Sequence, residues 1–193
     1  MKKLLITGFE PFGGESINPS WEAVLRLPDE IGDYALTKLC IPVVFGKATQ
    51  KVVEMAKEVC PDAIVCIGQA GGRYGVTPEM VGINLRHATI PDNEYNQPMD
   101  EPIVENGANA FFSTLPVRKI ATAIKEQGIP SQVSYSAGAY VCNDLLYSLL
   151  SYFQNTEMAV GFIHVPYCNE QNKNPSLPLE DIVKALTVAI ESM

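Results

Sequence analysis

The amino-acid sequence predicts an α/β protein, a three-layer α/β/α sandwich built on a mostly parallel, twisted sheet. Segments typical of strands alternate along the chain with segments of helical period. One of the strand-like segments, residues 62–67, contains the continuous apolar run AIVCI that is expected of a strand covered on both faces. The chain has 193 residues, 47% of them hydrophobic, which is enough for one sizeable core. We therefore expect a single domain over residues 1–193.

The first half of the chain predicts three strands and two helices in alternation. Residues 2–9 form a short apolar strand, and Asn18 followed by Pro19 starts a helix that runs to residue 27, because asparagine is a favoured N-cap and proline a favoured first residue. Residues 34–43 alternate as in a strand, residues 47–59 have helical period, and residues 62–67 are the buried strand. A Gly-rich turn at residues 68–73 and a further strand-like piece at residues 81–90 follow.

A long polar segment, residues 91–107, separates the two halves, and a structureless segment of that length is typical of a lid or binding loop. The second half predicts helices at residues 117–127, 140–153 and 179–191, and strands at residues 132–136 and 159–165. Such a pattern packs helices on both faces of a mostly parallel sheet. The order of the strands is not determined by the sequence.

Charge and composition exclude several classes of function. A net charge of −8 argues against a nucleic-acid-binding protein, which normally carries a basic surface. No apolar run reaches the length of a membrane span, and residues 1–8 are too short for a signal peptide, so we expect a cytoplasmic protein without a membrane partner. Five cysteines without framework-like spacing indicate reduced thiols. We expect no metal and no cofactor, since His164 and Cys168 supply too few zinc ligands.

Cys142 and His164 are the best candidates for a nucleophile and a base. We expect Cys142 in the first turn of the helix over residues 140–153, where unpaired backbone N–H groups can stabilise a thiolate and an oxyanion. We expect His164 at the carboxyl end of the strand over residues 159–165, beside the strand that leads into Cys142. Glu79, which follows the Gly-rich turn, is the candidate for orienting the imidazole. The alternatives are a buried helix cysteine, a core histidine and a solvated loop carboxylate.

The other cysteines are expected to have no part in chemistry. Cys40 and Cys66 fall inside strand-like runs and should be inert packing residues, and Cys60 ends a helix. Cys168, two residues after Pro166, is expected to be exposed.

The Gly-rich turn and the first loop are candidates for binding a small neutral group. The turn lacks the phosphate-loop and dinucleotide-loop patterns, so its glycines are better explained by close approach of the backbone to a ligand. Phe9 and Phe12 flank the first loop and can form apolar walls. Backbone groups near Gln69 can supply one donor and one acceptor.

Several motifs together resemble the type I pyroglutamyl peptidases, also called pyrrolidone-carboxylate peptidases. The resemblance runs in order over nearly the whole chain and is carried by residues 7–14 (TGFEPFGG), 68–73 (GQAGGR), 77–79 (TPE), 90–93 (IPDN), 136–138 (SAG), 141–143 (VCN) and 162–166 (FIHVP). It implies an α/β/α cysteine peptidase that removes an N-terminal pyroglutamyl residue from peptides. It also implies a Glu79–Cys142–His164 triad, a lactam pocket walled by Phe9 and Phe12, and a homo-oligomer, often a tetramer.

The sequence departs from the family pattern at three positions. Met80 stands where a basic residue is usual, Gly82 where alanine is usual, and Thr89 where arginine is common. These departures motivate an alternative in which the chain binds pyroglutamyl peptides without cleaving them, or cleaves them slowly. Arg86, three residues upstream of Thr89, is a candidate to replace the missing arginine. A weaker rival is a nucleoside phosphorylase, because α/β sandwiches support several chemistries, but the chain lacks a basic phosphate cradle.

Overall fold

The computed structural model describes all residues, 1–193, in ten strands, five α-helices and a short 3₁₀ turn. The strands are β1 (Lys2–Phe9), β2 (Glu30–Ile31), β3 (Tyr34–Ile41), β4 (Ala63–Gln69), β5 (Thr77–Pro78), β6 (Val81–Ile83), β7 (Ala110–Phe112), β8 (Ala159–Val165), β9 (Tyr167–Cys168) and β10 (Ser176–Leu177). The helices are α1 (Pro19–Arg26), α2 (Lys47–Val59), α3 (Val117–Glu126), α4 (Val141–Tyr152) and α5 (Leu179–Glu191).

The central sheet has six strands in the order β2-β3-β1-β4-β8-β5. The four inner strands are parallel, whereas β2 and β5 pair antiparallel at the two edges. The sheet is therefore mixed, and the prediction of a mostly parallel sheet is confirmed for its centre. The two-residue edge strands are too short to show a periodicity in the sequence.

Two apolar cores lie on opposite faces of this sheet. Residues of α1, α3 and α5 pack on one face with alternate strand residues such as Leu4, Val65 and Ile163. Residues of α2 and α4 pack on the other face with the intervening strand residues, such as Leu5 and Ile64. Strands covered on both faces have to be apolar throughout, which is why the central strands read as continuous apolar runs. The expected three-layer α/β/α sandwich is confirmed.

Local signals mark the helix ends as predicted. The side chain of Asn18 accepts a hydrogen bond from Ser20 N at 3.1 Å, and Pro19 is the first residue of α1. Cys60 ends α2 in the left-handed conformation, with φ 48°. No helix of the protein is long and apolar enough to cross a bilayer.

Two predicted strands differ from the structure. Residues 132–136 form no strand and are joined to the region of β5 only by isolated bridges at Ser131 and Ser134. The hydroxyl of Ser134 bonds the Ser136 carbonyl at 3.1 Å, and such local side-chain bonds compete with a ladder. The strand predicted over residues 81–90 is limited to β6, which pairs with β7 in a separate two-stranded sheet. The polar segment of residues 91–107 carries no helix or strand, as expected.

Candidate active site

Three parallel strands end at the edge of the sheet where the predicted site residues meet. Phe9 is the last residue of β1, Gln69 is the last residue of β4, and His164 lies near the end of β8. In the register of β4 and β8, Gly68 lies directly opposite His164. Carboxyl ends of parallel strands are where open α/β sheets place their ligands.

Cys142 is the second residue of α4, as predicted, so its side chain lies at the positive end of the helix. The chain reaches it through a loop in which Gly138 has φ +78°, a conformation that favours glycine. The expectation that a strand beside β8 leads into Cys142 is wrong, because residues 132–136 form no strand. The loop nevertheless brings the thiol to the predicted edge.

The thiol of Cys142 packs over β4. A Cβ atom added to Gly68 would lie 3.0 Å from Cys142 Sγ and 2.6 Å from the ring of Phe162. Only glycine at position 68 leaves room for the sulfur against this strand. Since Gly68 is the register partner of His164, the thiol and the imidazole belong to neighbouring positions of β4 and β8.

Glu79 and His164 form a buried pair. The Oε1 atom of Glu79 lies 2.6 Å from Nδ1 of His164, and the side chains are 0% and 4% exposed. The contact to Nδ1 leaves Nε2 as the ring nitrogen without a partner in the protein. Glu79 is the residue that follows β5. Its backbone N–H donates to Phe162 O on β8 at 2.9 Å, which fixes its position beside that strand.

Arg73 completes this arrangement, and the sequence analysis did not identify it as a functional residue. Its Nη1 atom lies 2.6 Å from Glu79 Oε1 and also donates to Thr77 Oγ1, and its Nη2 donates to Ser136 O at 3.0 Å. One guanidinium group therefore joins the carboxylate to the loop that leads to Cys142. A lone arginine ending the Gly-rich turn was the only signal in the sequence.

Burial and the neighbouring charges set the protonation states of the three side chains. Burial raises the pKa of the Cys142 thiol to about 12, assisted by the charge of Glu79, while Arg73 opposes the shift. Burial also lowers the pKa of His164, against the opposing effect of Glu79. For Glu79, burial alone would raise the pKa, but the hydrogen bonds and charges of His164, Ser134 and Arg73 lower it. Burial thus favours the neutral forms of the thiol and the imidazole, while its neighbours favour the charged form of Glu79.

A narrow cavity of about 40 Å³ opens next to the thiol on the β1 side. It is lined by Phe9, Phe12, Asn18, Val43, Gln69, Tyr140, Val141 and Cys142. Phe12 lies on the first loop as expected, whereas Phe9 belongs to the end of β1 and is only 2% exposed, because its ring also packs in the core beside Phe162. The side-chain carbonyl of Gln69 accepts a hydrogen bond from Gln171 at 2.9 Å.

The positions that depart from the family pattern lie outside the contacts of the Glu79–His164 pair. Thr89 is exposed, and Met80 packs against the core. Arg86 does not replace the missing arginine at Glu79, because its Nε atom bonds Asp144 at 2.6 Å. A Cβ atom on Gly82 would lie 2.9 Å from the backbone nitrogen of Tyr147, so glycine here permits the close contact of β6 with α4.

The remaining cysteines confirm part of the predicted pattern. Cys66 is fully buried, and burial raises its pKa to about 12. Cys40 is half-buried in β3, and Cys60 is exposed. The expectation of an exposed Cys168 is wrong, because β9 pairs with β10 and buries the residue in the core. No group of three or more His, Cys, Asp or Glu side chains is placed to hold a metal ion.

Comparisons with known proteins identify the family of the chain. The family model described as "Pyroglutamyl peptidase" matches residues 2–193. The pyrrolidone-carboxylate peptidase of Staphylococcus carnosus is 51% identical over 97% of this chain and 91% of its own. The crystal structure of Bacillus amyloliquefaciens pyroglutamyl peptidase I is similar with a TM-score of 0.95 and 47% identity, covering 100% of this chain and 96% of that one.

A more distant relative has the same fold. The pyrrolidone carboxyl peptidase of Thermococcus litoralis is 37% identical, with a TM-score of 0.95 over 100% of this chain and 93% of that one. The family match, the identities and the structural similarity each extend over nearly the full length of the sequence. The chain belongs to the pyroglutamyl peptidase family.

Proposed function

We propose that the protein is a pyroglutamyl peptidase I, a cysteine-type hydrolase that removes an N-terminal pyroglutamyl residue from small peptides. The single observation that carries this proposal is the placement of the Cys142 thiol between a buried Glu79–His164 pair and an apolar cavity. The pair supplies a base and the cavity supplies a place for a small uncharged ring. The family supports the same reaction.

In the proposed mechanism His164 acts first as a base and then as an acid. Its free Nε2 atom takes the proton of the Cys142 thiol as the sulfur attacks the pyroglutamyl carbonyl, and Glu79 holds the imidazole through Nδ1. Backbone N–H groups in the first turn of α4 stabilise the oxyanion. The C–N bond then breaks, and the leaving amine takes the proton from His164. Water hydrolyses the thioester, with His164 again as the base.

The cavity fits the chemistry of pyroglutamate. The lactam carries no α-ammonium group, so its site needs apolar walls with one hydrogen-bond donor and one acceptor. Phe9 and Phe12 supply the walls, and polar groups at Gln69 lie at the cavity edge. An ordinary glutamyl or glutaminyl terminus would have to bury an unpaired charge there, which is costly.

We also propose a domain organisation, an oligomeric state and a cellular compartment for the protein. A single peptidase domain over residues 1–193 is supported by the two cores that share one sheet. Large apolar side chains are exposed on β7 and on the segment of residues 91–107, including Phe112 at 72% and Tyr95 at 87%, and they favour a homo-oligomer, which we propose is a tetramer. A thiol nucleophile requires a reducing compartment, which favours the cytoplasm.

The alternative of a protein that binds pyroglutamyl peptides without cleaving them has no support. Two departures motivated it, Met80 and Thr89. Neither side chain forms a hydrogen bond or an ion pair with Glu79. The basic residue that pairs with Glu79, besides His164, is Arg73.

Hydrolysis of pyroglutamyl-7-amido-4-methylcoumarin by the wild type and by Cys142→Ser tests the proposal. We expect turnover by the wild type and loss of nearly all of it in the variant, because a serine hydroxyl is much harder to ionise than a thiol. Cys60→Ser is the matched control, since Cys60 is exposed at the end of α2, and it should retain activity. A folded wild type without turnover, or equal rates in the wild type and Cys142→Ser, would contradict the mechanism.

A further inference from the structure

A groove of about 850 Å³ lies beside the candidate active site and has no role in the mechanism above. Its volume is within the range of peptide and ligand sites. It runs between the turn that contains Arg73 and the segment of residues 130–136, and it is lined by Gly72, Arg73, Tyr74, Gly75, Thr77, Lys125 and residues 130–136. Arg73 separates it from Glu79, because the guanidinium contacts the carboxylate and also the carbonyl of Ser136.

One wall of the groove is the segment of residues 131–136, part of whose backbone on the side away from β5 is unpaired. Ser134 uses its N–H and its carbonyl to bond Pro78 O and Met80 N at 2.9 and 2.8 Å, so it faces β5. Backbone groups of successive residues in such a pairing point to opposite sides, so those of Val133, next to Ser134, face away from β5, and the chain bends at Tyr135. Neither of these two residues makes a backbone hydrogen bond within the protein. An unpaired edge of this kind is a template for a further strand.

The strand order shows which way the leaving part of a substrate runs. The lactam cavity lies on the β1 side of Cys142, whereas His164, which gives its proton to the leaving amine, lies on β8. Continuing in the same direction across the sheet leads to β5 and then to the segment that contains Val133. A leaving peptide that continues in this direction runs from His164 towards the groove.

We propose that this groove binds the leaving peptide, which pairs in extended conformation with the backbone of Val133. The proposal rests on the pyroglutamyl peptidase activity and specifies its substrates. From β8 to a peptide paired with the outer edge of this segment there are three strand spacings, about 14 Å, which an extended peptide spans with about four residues. The preferred substrates are therefore peptides with at least four residues after pyroglutamate. The identity of the peptide side chains should matter little, because the groove binds the peptide through its main-chain groups.

The first test uses the wild type with peptides of different length. We compare kcat/KM for pyroglutamyl-alanine amide and for pyroglutamyl-tetraalanine amide, and expect the longer peptide to be better by about tenfold, as one or two backbone hydrogen bonds would give. Methylation of the peptide nitrogens of the third and fourth alanines should remove this advantage, because the methylated nitrogens cannot donate. An equal kcat/KM for short and long peptides would overturn the proposal.

The second test changes the edge itself. Val133→Pro removes the outward N–H, and proline is tolerated at a free edge, so the ratio of long- to short-peptide kcat/KM should fall towards one. Val133→Ala is the matched control for the lost packing of Val133 on the core, and it should keep the wild-type ratio. Circular dichroism of both variants checks that they fold. An unchanged ratio in folded Val133→Pro would also overturn the proposal.

Three further outcomes separate the groove from the activity and from an interface. If the wild type does not hydrolyse pyroglutamyl-7-amido-4-methylcoumarin, the proposed function fails and the groove proposal fails with it. If it hydrolyses this substrate but shows no length dependence, only the groove proposal fails. If Val133→Pro changes the oligomeric state in light scattering and the wild type shows no length dependence, the edge pairs with a second copy instead.

Discussion

The two sides of Cys142 differ in charge and in the way their side chains are held. On the β8 side, Arg73, Glu79 and His164 are joined by contacts of 2.6 Å around one carboxylate oxygen. On the β1 side, the cavity lining is apolar or carries neutral amides, and no carboxylate or basic group lines it. In the proposed mechanism, proton transfer therefore depends on a buried charge network, while recognition depends on shape and neutral polarity. Changes on the first side should alter rate and pH dependence, and changes on the second side should alter KM.

The largest effect is expected when the charged side loses its base. His164→Ala should lower kcat/KM by about 10³-fold or more, since the proposed mechanism uses His164 as the acceptor of the thiol proton. Glu79→Gln should lower kcat/KM by a factor that is about tenfold or more smaller than the factor for His164→Ala. The reason is that loss of the orienting residue of a triad lowers the rate less than loss of the base. Steady-state hydrolysis of pyroglutamyl-7-amido-4-methylcoumarin measures both losses.

His87→Ala is the matched control for this comparison, since His87 is the only other histidine of the chain and its ring bonds Asp100 instead of a site residue. It should retain activity close to that of the wild type. A His164→Ala variant with near wild-type rates would exclude His164 as the base, and the charged side would then have no catalytic part.

The fold could be predicted from the sequence where segments are long and their period is clear. The bounds of α2, β8 and α5 agree with the predicted ranges, because each buries a regular apolar face or run. Residues 132–136 were predicted wrongly as a strand because Val133 and Tyr135 suggest β structure, while the serines around them bond locally. The antiparallel edges were not predictable, since two-residue strands depend on tertiary contacts.

The candidate site could be predicted as a set of residues but not as a network. Cys142, His164 and Glu79 could be found because they stand near strand or helix ends. Arg73 could not be assigned to Glu79, and Arg86 was considered instead, because the turn geometry that brings the guanidinium to the carboxylate is not encoded in a spacing. The burial of Cys168 depends on the pairing of β9 with β10, which likewise has no local signal.

A smaller effect is expected when the neutral side loses one wall. Phe12→Ala should raise KM for pyroglutamyl amides by about 5- to 30-fold, corresponding to about 1 to 2 kcal/mol for a half-buried ring. The reactivity of Cys142 towards a small alkylating reagent should stay the same, because the charged side is untouched. Tyr152→Ala, which removes an exposed aromatic ring at the end of α4, is the control. An unchanged KM in Phe12→Ala would show that the first loop does not determine specificity.

The smallest effect is a shift of the pH profile caused by Arg73. The positive charge of Arg73 lowers the pKa of His164, in addition to the larger effect of burial. Without that charge the pKa rises, so His164 stays protonated to a higher pH and cannot act as the base. In Arg73→Met the acidic limb of the kcat/KM profile should therefore move to higher pH. Arg73→Lys keeps the positive charge beside Glu79 and should leave the limb near its wild-type position. Identical acidic limbs in Arg73→Met and the wild type would mean that Arg73 holds the loop at Ser136 without tuning the base, and the charged side of the site would then consist of Glu79 and His164 alone.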